Sequence, residues 1–410
     1  MSTNIKKLHV SDLRTGMYVC KLDRDWLDTP FIMQGFMIEE REDIDIVAEY
    51  CEFVYIDIDE ARKYAANGPS SSVGTASQGR RGGPPDYQTD VSSEHRQMYK
   101  TFREARSVTR SMLENIRLGA AIDNNQAKDT VNECVQSVIR HPDALLWMSR
   151  IRQQQEYTAE HCLNVCILAI AFGRQLGFSE AELQNIGMCG LLHDVGKMRV
   201  PQEIINKPGA LTTKEYRMMK AHTVHGRNLL MSTAGVYGGA IDAAYSHHER
   251  IDGEGYPRKL SGSNISYYSK IISIVDAYDA MTADRCYDSA KTSTQALKII
   301  YAERGKQFDE ELALKFIQTI GLYPAGSLVE LYNGEVGIII EANLRLRHLP
   351  RVILVLDENK NKLIKEKIVD LSLIENGDLP KRYLIKQVWK DGSFDVSIRD
   401  YQNKGLQLKH

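Results

Sequence analysis

The sequence lacks a dominant charge. Its 52 Lys and Arg stand against 54 Asp and Glu, a formal net charge of -2, so no global positive field draws the chain onto nucleic-acid polymers or anionic membranes. Any anionic ligand must be held by a local site. Long apolar runs are also missing: the most apolar stretch, Leu163 to Phe172, is too short and interrupted to span a bilayer. The opening MSTNIKKLHVSDLRTG has no apolar core of the kind a secretory signal needs, which sets the expectation of a cytoplasmic protein without membrane insertion. Paired cysteines are absent too. Seven cysteines with no CxxC spacing read as reduced thiols, and Cys162, Cys166 and Cys189 lie in apolar helical contexts as packing residues. No tandem repeat is present.

What remains is a chain of 410 residues, 43% hydrophobic, long enough for two or three cored domains. Residues 1–65 mix short β-like runs (Met17 to Leu22, Phe31 to Ile38, Phe53 to Ile58) with a helical segment near Ile44 to Tyr50, a small α+β domain. Residues 66–90, rich in Gly, Ser and Pro, read as a flexible linker, with Arg80-Arg81 as a solvated tip. Over 91–142, Met98, Phe102, Ala105, Val108, Met112 and Ile116 recur at helical steps, giving a connector helix that either joins the halves or forms a dimer seam. Residues 143–322 read as all-α: one helix runs through His161 to Gln175, and Ser179 with Glu182 forms a capping box for the next. From 323 to 410 the pattern is β-rich, with runs at Ser327 to Tyr332, Val336 to Glu341, Val352 to Asp357 and Arg382 to Val388 and a hairpin turn at Asn333-Gly334.

Histidine is unevenly placed. Of 11 histidines, seven (His141, His161, His193, His222, His225, His247, His248) fall between 141 and 248. Histidine is the commonest metal ligand, and here an adjacent His193-Asp194 closes an apolar helix, while Asp276 sits in the apolar segment IISIVD. A carboxylate can bridge two ions with its two oxygens, and polar groups on apolar helix faces are costly unless paired or metal-bound. His161, His193, His222, His247 and His248 with Asp194 and Asp276 make about enough ligands for two six-coordinate ions. The cysteines match no ligand position, and imidazole with carboxylate suits iron or manganese above nickel or zinc.

These motifs, H161-CLNV, LLHDVGK (191–197), VPQEIINKPGALTTKEY (200–216), His222, HHERIDGEGYP (247–257), IVDAYDAMTADRCY (274–287) and FD (308–309), resemble the HD-GYP branch of the HD phosphohydrolase superfamily. The resemblance implies a five-helix HD core with two further helices and hydrolysis of cyclic di-GMP to pGpG and onwards to GMP, which lowers a bacterial second messenger. It implies that His161, His193, Asp194 and Asp276 hold one ion and that Asp194 bridges to a second, held by His222, His247 and His248. Asp194 and Lys197 are the expected catalytic residues, with Lys197, Tyr256 of the GYP loop and Arg285 contacting substrate. His141 and His225 match no ligand position. A third ion, held in some members by a glutamate four residues before the first histidine, is not expected, because Tyr157 stands there and Glu156 and Glu160 are out of phase. Ile251 replaces the usual tryptophan, and Asp288 stands where many members carry a basic residue. Residues 1 to about 130 resemble a domain of unknown function often fused in front of HD-GYP domains, with a regulatory or dimerising role. Two other readings share the sequence: a phosphodiesterase for another cyclic dinucleotide, such as cyclic GMP-AMP, and a non-hydrolytic sensor that binds a diguanylate cyclase through the GYP loop.

Overall fold

The structure, a computed structural model, describes residues 5–24, 36–38, 41–58, 61, 91–140, 157–283, 290–343, 346 and 348–403. It divides into two units, 1–89 and 90–410. In the first, β1 (Ile5–His9), β2 (Tyr18–Leu22), β3 (Phe36–Met37) and β4 (Phe53–Asp57) form an antiparallel sheet in the order β1-β4-β2-β3, with α1 (Arg41–Tyr50) preceding β4. Val54 and Ile56 are buried, alternating with half-buried neighbours as one covered sheet face requires. The Asp23 carboxylate accepts from the backbone N–H of Glu52 at 2.7 Å and Phe53 at 3.0 Å, which ties the β2 end to the start of β4. The linker at 66–90 lies outside the described residues, as does most of the strand expected at Phe31 to Ile38.

The second unit opens with α2 (Val91–Arg117) and α3 (Asn124–Arg140). One connector helix was expected; Gly119, at a φ of +96°, stops it, and the chain reverses before α3. Phe102, Ala105, Met112 and Ile116 are buried within this unit, where α2 and α3 pack on each other and on the helices that follow. These four residues of the stripe belong to the unit's own core. α4 (Tyr157–Gln175) is buried on every side from Cys162 to Phe172, and a helix apolar all round belongs at the centre of a bundle. α5 (Glu180–Leu192) starts from the expected capping box: the Ser179 hydroxyl accepts from Glu182 N–H at 3.4 Å, and the Glu182 carboxylate accepts from Ser179 N–H at 2.8 Å. α5 lies against α4 and ends at His193.

A 3-10 turn (Val195–Arg199) leads to α6 (Gln202–Ile205), α7 (Thr213–Lys220), α8 (His222–Met231), α9 (Gly238–Ser246), α10 (Tyr267–Thr282), α11 (Ser293–Ala302) and α12 (Glu310–Ile320). α10 packs across α4, and the rings of Phe172, Phe316 and Tyr278 meet edge to face in the core between α4, α12 and α10, with centroids 5.2 and 5.3 Å apart. The chain then builds an antiparallel sheet of β5 (Leu328–Leu331), β6 (Val336–Glu341), β7 (Arg351–Leu356), β8 (Lys362–Asp370) and β9 (Ile385–Trp389) in the order β8-β7-β6-β5-β9, followed by α13 (Ile398–Asn403). Gly334, at a φ of +88°, makes the expected β5–β6 hairpin turn. β8 was not expected; its charged sequence KLIKEKIVD suits an exposed edge, where lysines discourage pairing with other chains. Among the described residues no helix is long and apolar enough to cross a membrane.

Candidate metal centre

Four separate helix ends and one helix interior converge on a single point. His161 stands one turn into α4, His193 and Asp194 follow the end of α5, His222 opens α8, His247 and His248 follow α9, and Asp276 lies inside α10. His161, His193, Asp194, His222 and His247 are at most 1% exposed, Asp276 is 9% exposed, and His248 is the most open of the group.

The hydrogen bonds fix which nitrogen each imidazole turns inward. Nδ1–H of His193 donates to the Gly190 carbonyl at 2.7 Å, that of His222 to Met219 at 2.7 Å, and that of His247 to Ala243 at 3.0 Å. His161 Nδ1–H donates instead to the Asp279 carboxylate at 2.7 Å. With Nδ1 committed as donor, a neutral ring presents a bare lone pair at Nε2. These lone pairs face one another: His161 and His193 at 3.3 Å, His222 and His247 at 3.2 Å.

Carboxylate oxygens fill the remaining space. Asp194 Oδ2 lies 3.4 Å from both His161 and His193 Nε2, and Asp276 Oδ1 lies 3.0 and 3.7 Å from the same two atoms. The other oxygen of Asp194, Oδ1, lies 3.3 Å from His222 and 3.7 Å from His247 and is buried without a hydrogen-bond partner. Acceptors crowded against acceptors repel unless a cation stands between them. Two such places share Asp194, one oxygen to each. Three triads can each hold an ion: His161, His193 and Asp276; His193, Asp194 and His247; His222, His247 and His248. The residues therefore fit metal ions, and the fit rests on donor chemistry as well as on spacing.

The electrostatics agree. Despite burial, Asp194 is held well below the usual carboxylate range by Lys197 and His193, and Asp276 is held low by His161 and His193. Burial lowers His222 to about 4 and His248 to about 3, so both are neutral at ordinary pH. His193 moves the other way: burial opposes its charged form, but Asp194 and Asp276 push it up. Burial drives nearby Cys162 up to about 12, a neutral thiol that does not compete as a ligand.

The local chain is shaped for this convergence. A Cβ on Gly196 would lie 1.9 Å from the His222 carbonyl oxygen and 2.4 Å from Gly226 N, so only glycine lets the turn after Asp194 press against α8. A Cβ on Gly255 would lie 2.4 Å from Arg250 N, which closes the GYP loop back onto the residues after His248. Both Glu249 oxygens hold that loop, accepting from Arg258 N–H at 2.7 Å and Leu260 N–H at 2.9 Å. Tyr256 then stacks on His248, with centroids 4.7 Å apart. Burial raises the Tyr256 hydroxyl, so it stays a neutral donor.

A cavity of about 520 Å³ opens over the centre, with His248 and Asp276 in its floor and Tyr216, Tyr256, Arg250 and Gln307 in its walls. That is an ordinary size for a small-molecule site. Lys197 contacts Asp194 Oδ2 directly, so the structure places its charge on the shared carboxylate rather than out in the cavity. Arg285 and His141 lie outside the described residues. His225 belongs to none of the three triads among the described residues. Glu160, out of phase for a third-ion ligand, is buried and salt-bridged to Arg106 at 3.1 Å.

Sequence reasoning missed Asp279. It lies one turn beyond Asp276 on the same face of α10, a spacing that would have flagged it. Carboxylates behind metal-bound imidazoles orient the ring and raise its basicity. Asp279→Ala should weaken metal binding by about 10- to 100-fold, measured by competition with a chelator, while the helical circular dichroism stays unchanged; wild-type metal affinity in the variant would contradict this role.

Comparisons with known proteins follow the same lines. The HD domain family profile matches residues 141–312, and that of a domain of unknown function (DUF3391) matches residues 5–127. A cyclic di-GMP phosphodiesterase of Pseudomonas aeruginosa is 33% identical over 393 residues, 95% of each chain. The chain belongs to the HD-GYP branch of the HD-domain family. A cyclic di-GMP phosphodiesterase response regulator of Xanthomonas campestris is 38% identical over 40% of this chain and 44% of its own, and a 3'3'-cGAMP-specific phosphodiesterase of Vibrio cholerae is 33% identical over 41% and 36%. HD-domain phosphohydrolases are metal-dependent enzymes, and the acceptor clusters described above are consistent with that property here.

Proposed function

We propose that this chain hydrolyses the phosphodiester bonds of cyclic di-GMP, giving pGpG and then GMP, with two divalent ions held by His161, His193, Asp194, His222, His247, His248 and Asp276. The observation that carries the reading is the two facing imidazole pairs joined through the two oxygens of Asp194 beneath a cavity of about 520 Å³. The relative aligned over 95% of its length is named for this activity.

When bound, divalent ions supply Lewis acidity to the phosphoryl oxygens and make a water a competent nucleophile near neutral pH. The protein's own groups do the rest. Asp194 sets the spacing of the two ligand sets and, with Asp276, keeps its charge despite burial. Lys197 adds a fixed positive charge at the shared carboxylate and keeps it ionised. Asp279 and the carbonyls of Gly190, Met219 and Ala243 hold the imidazole planes so that little reorganisation accompanies reaction. Tyr256, locked on His248, offers a neutral hydroxyl at the cavity wall. Oxygen and nitrogen donors without thiolate favour iron or manganese, with nickel and zinc next.

The stacking of Tyr256 on His248 ties the GYP loop to the metal centre, which favours a catalytic role over docking to a diguanylate cyclase. Discrimination among dinucleotides is tested by kcat/KM for cyclic di-GMP and for mixed cyclic GMP-AMP on manganese-loaded full-length protein. The expected result is a higher kcat/KM for cyclic di-GMP; a preference for the mixed dinucleotide would reassign the substrate while leaving the chemistry in place.

A further inference from the structure

A cyclic dinucleotide carries two phosphodiesters on opposite sides of its macrocycle, and only one at a time can lie over the metal centre. The second anion needs a cation of its own if it is to leave water without a large penalty. Building on the function proposed above, we infer that Lys220 is that cation.

Lys220 is the last residue of α7, and its Nζ lies 4.7 Å from the ring centroid of Tyr216 and 5.3 Å from that of Tyr256. Both tyrosines line the cavity, and Tyr256 stacks in turn on His248. The ammonium thus sits behind two tyrosines of the cavity wall, one aromatic ring removed from His248.

Two neighbouring cations among the described residues are committed elsewhere. Arg250 also lines the cavity, but its guanidinium is bidentate on Asp252, at 2.7 and 3.0 Å, and donates to Gln307 at 3.0 Å. Lys197 contacts Asp194. Lys220 forms no ion pair with a carboxylate among the described residues and rests only on π faces. Such contacts hold an ammonium in place more weakly than a charged hydrogen bond holds a phosphate, so the side chain is positioned yet still free to take an anion. The plain alternative is a helix-terminal lysine that complements the α7 dipole; it has no reason to touch substrate.

The test uses full-length, manganese-loaded wild type, Lys220→Ala, Lys220→Gln and Lys220→Arg, with cyclic di-GMP and with bis(p-nitrophenyl) phosphate, a diester that has one phosphate only. Removing the charge should raise KM for cyclic di-GMP roughly tenfold, and the loss in kcat/KM on the dinucleotide should exceed the loss on the single diester by about the same factor. Gln should behave as Ala does, and Arg should recover most of the loss. Equal losses on both substrates, an unmoved KM, or a Gln variant that matches wild type would each overturn the assignment. A wild type that leaves cyclic di-GMP intact counts against the proposed function itself, whereas a working wild type with an indifferent Lys220→Ala counts against Lys220 alone.

Discussion

Asp194→Ala abolishes turnover and leaves the protein unable to hold two ions. The expected loss in kcat/KM is at least about 10³-fold, because the variant removes the carboxylate that reaches both ligand sets and leaves four buried imidazole lone pairs without a shared anion. Metal analysis of the purified variant should fall from two ions per chain to one or fewer. Unfolding is not the cause under this account. Asp194 Oδ1 is buried without a hydrogen-bond partner, while Oδ2 pairs with Lys197, so the variant also loses an ion pair, and its fold is checked separately by helical circular dichroism. Full metal content in Asp194→Ala would show that the ions, if bound, are held some other way.

Gly196→Ala is the second large effect, and it acts through backbone alone. The added methyl would lie 1.9 Å from the His222 carbonyl oxygen and 2.4 Å from Gly226 N. Neither is the end of a flexible side chain, so the turn after Asp194 and α8 must move apart. Overpacking of this kind costs about 1–3 kcal/mol, and more where both partners are backbone. The separation also pulls His222 away from Asp194 and His247, which it now meets at 3.3 and 3.2 Å. Chemical denaturation should therefore show a lower midpoint, and metal titration should show loss of the ion served by His222, His247 and His248 ahead of the other. A variant with wild-type stability and two ions would mean that the close approach of this turn to α8 is not needed.

Much of the site was legible in the sequence because ligand chemistry leaves a mark on composition. Charged and imidazole groups on otherwise apolar helices stand out, as Asp276 does within IISIVD, and the structure brings all five histidines and both aspartates together. The capping box at Ser179 and Glu182 was legible for a local reason, since both halves lie within one turn of chain. What escaped the reading depends on contacts distant in sequence. Lys197 lies only three residues from Asp194, a spacing that could have flagged their contact, whereas nothing local to Gly196 shows the carbonyl of His222 pressed against it. Asp279 was within reach, one turn from Asp276, but its partner His161 lies on another helix. β1 and β8 were missed because edge strands present charge on both faces and so lack the alternation that marks a half-buried strand. The connector was read as one helix because its apolar stripe on α2 is regular; Gly119 was the stop signal.

The account turns on two ions acting together at the centre joined by Asp194. Its most direct test is to strip the full-length protein of metal, add back manganese or ferrous iron in measured steps, and follow cyclic di-GMP, pGpG and GMP at each step. The account predicts that turnover climbs to a plateau at two ions per chain, with pGpG appearing before GMP. No turnover with iron, manganese, nickel or zinc, or full activity in the metal-free protein, would contradict it.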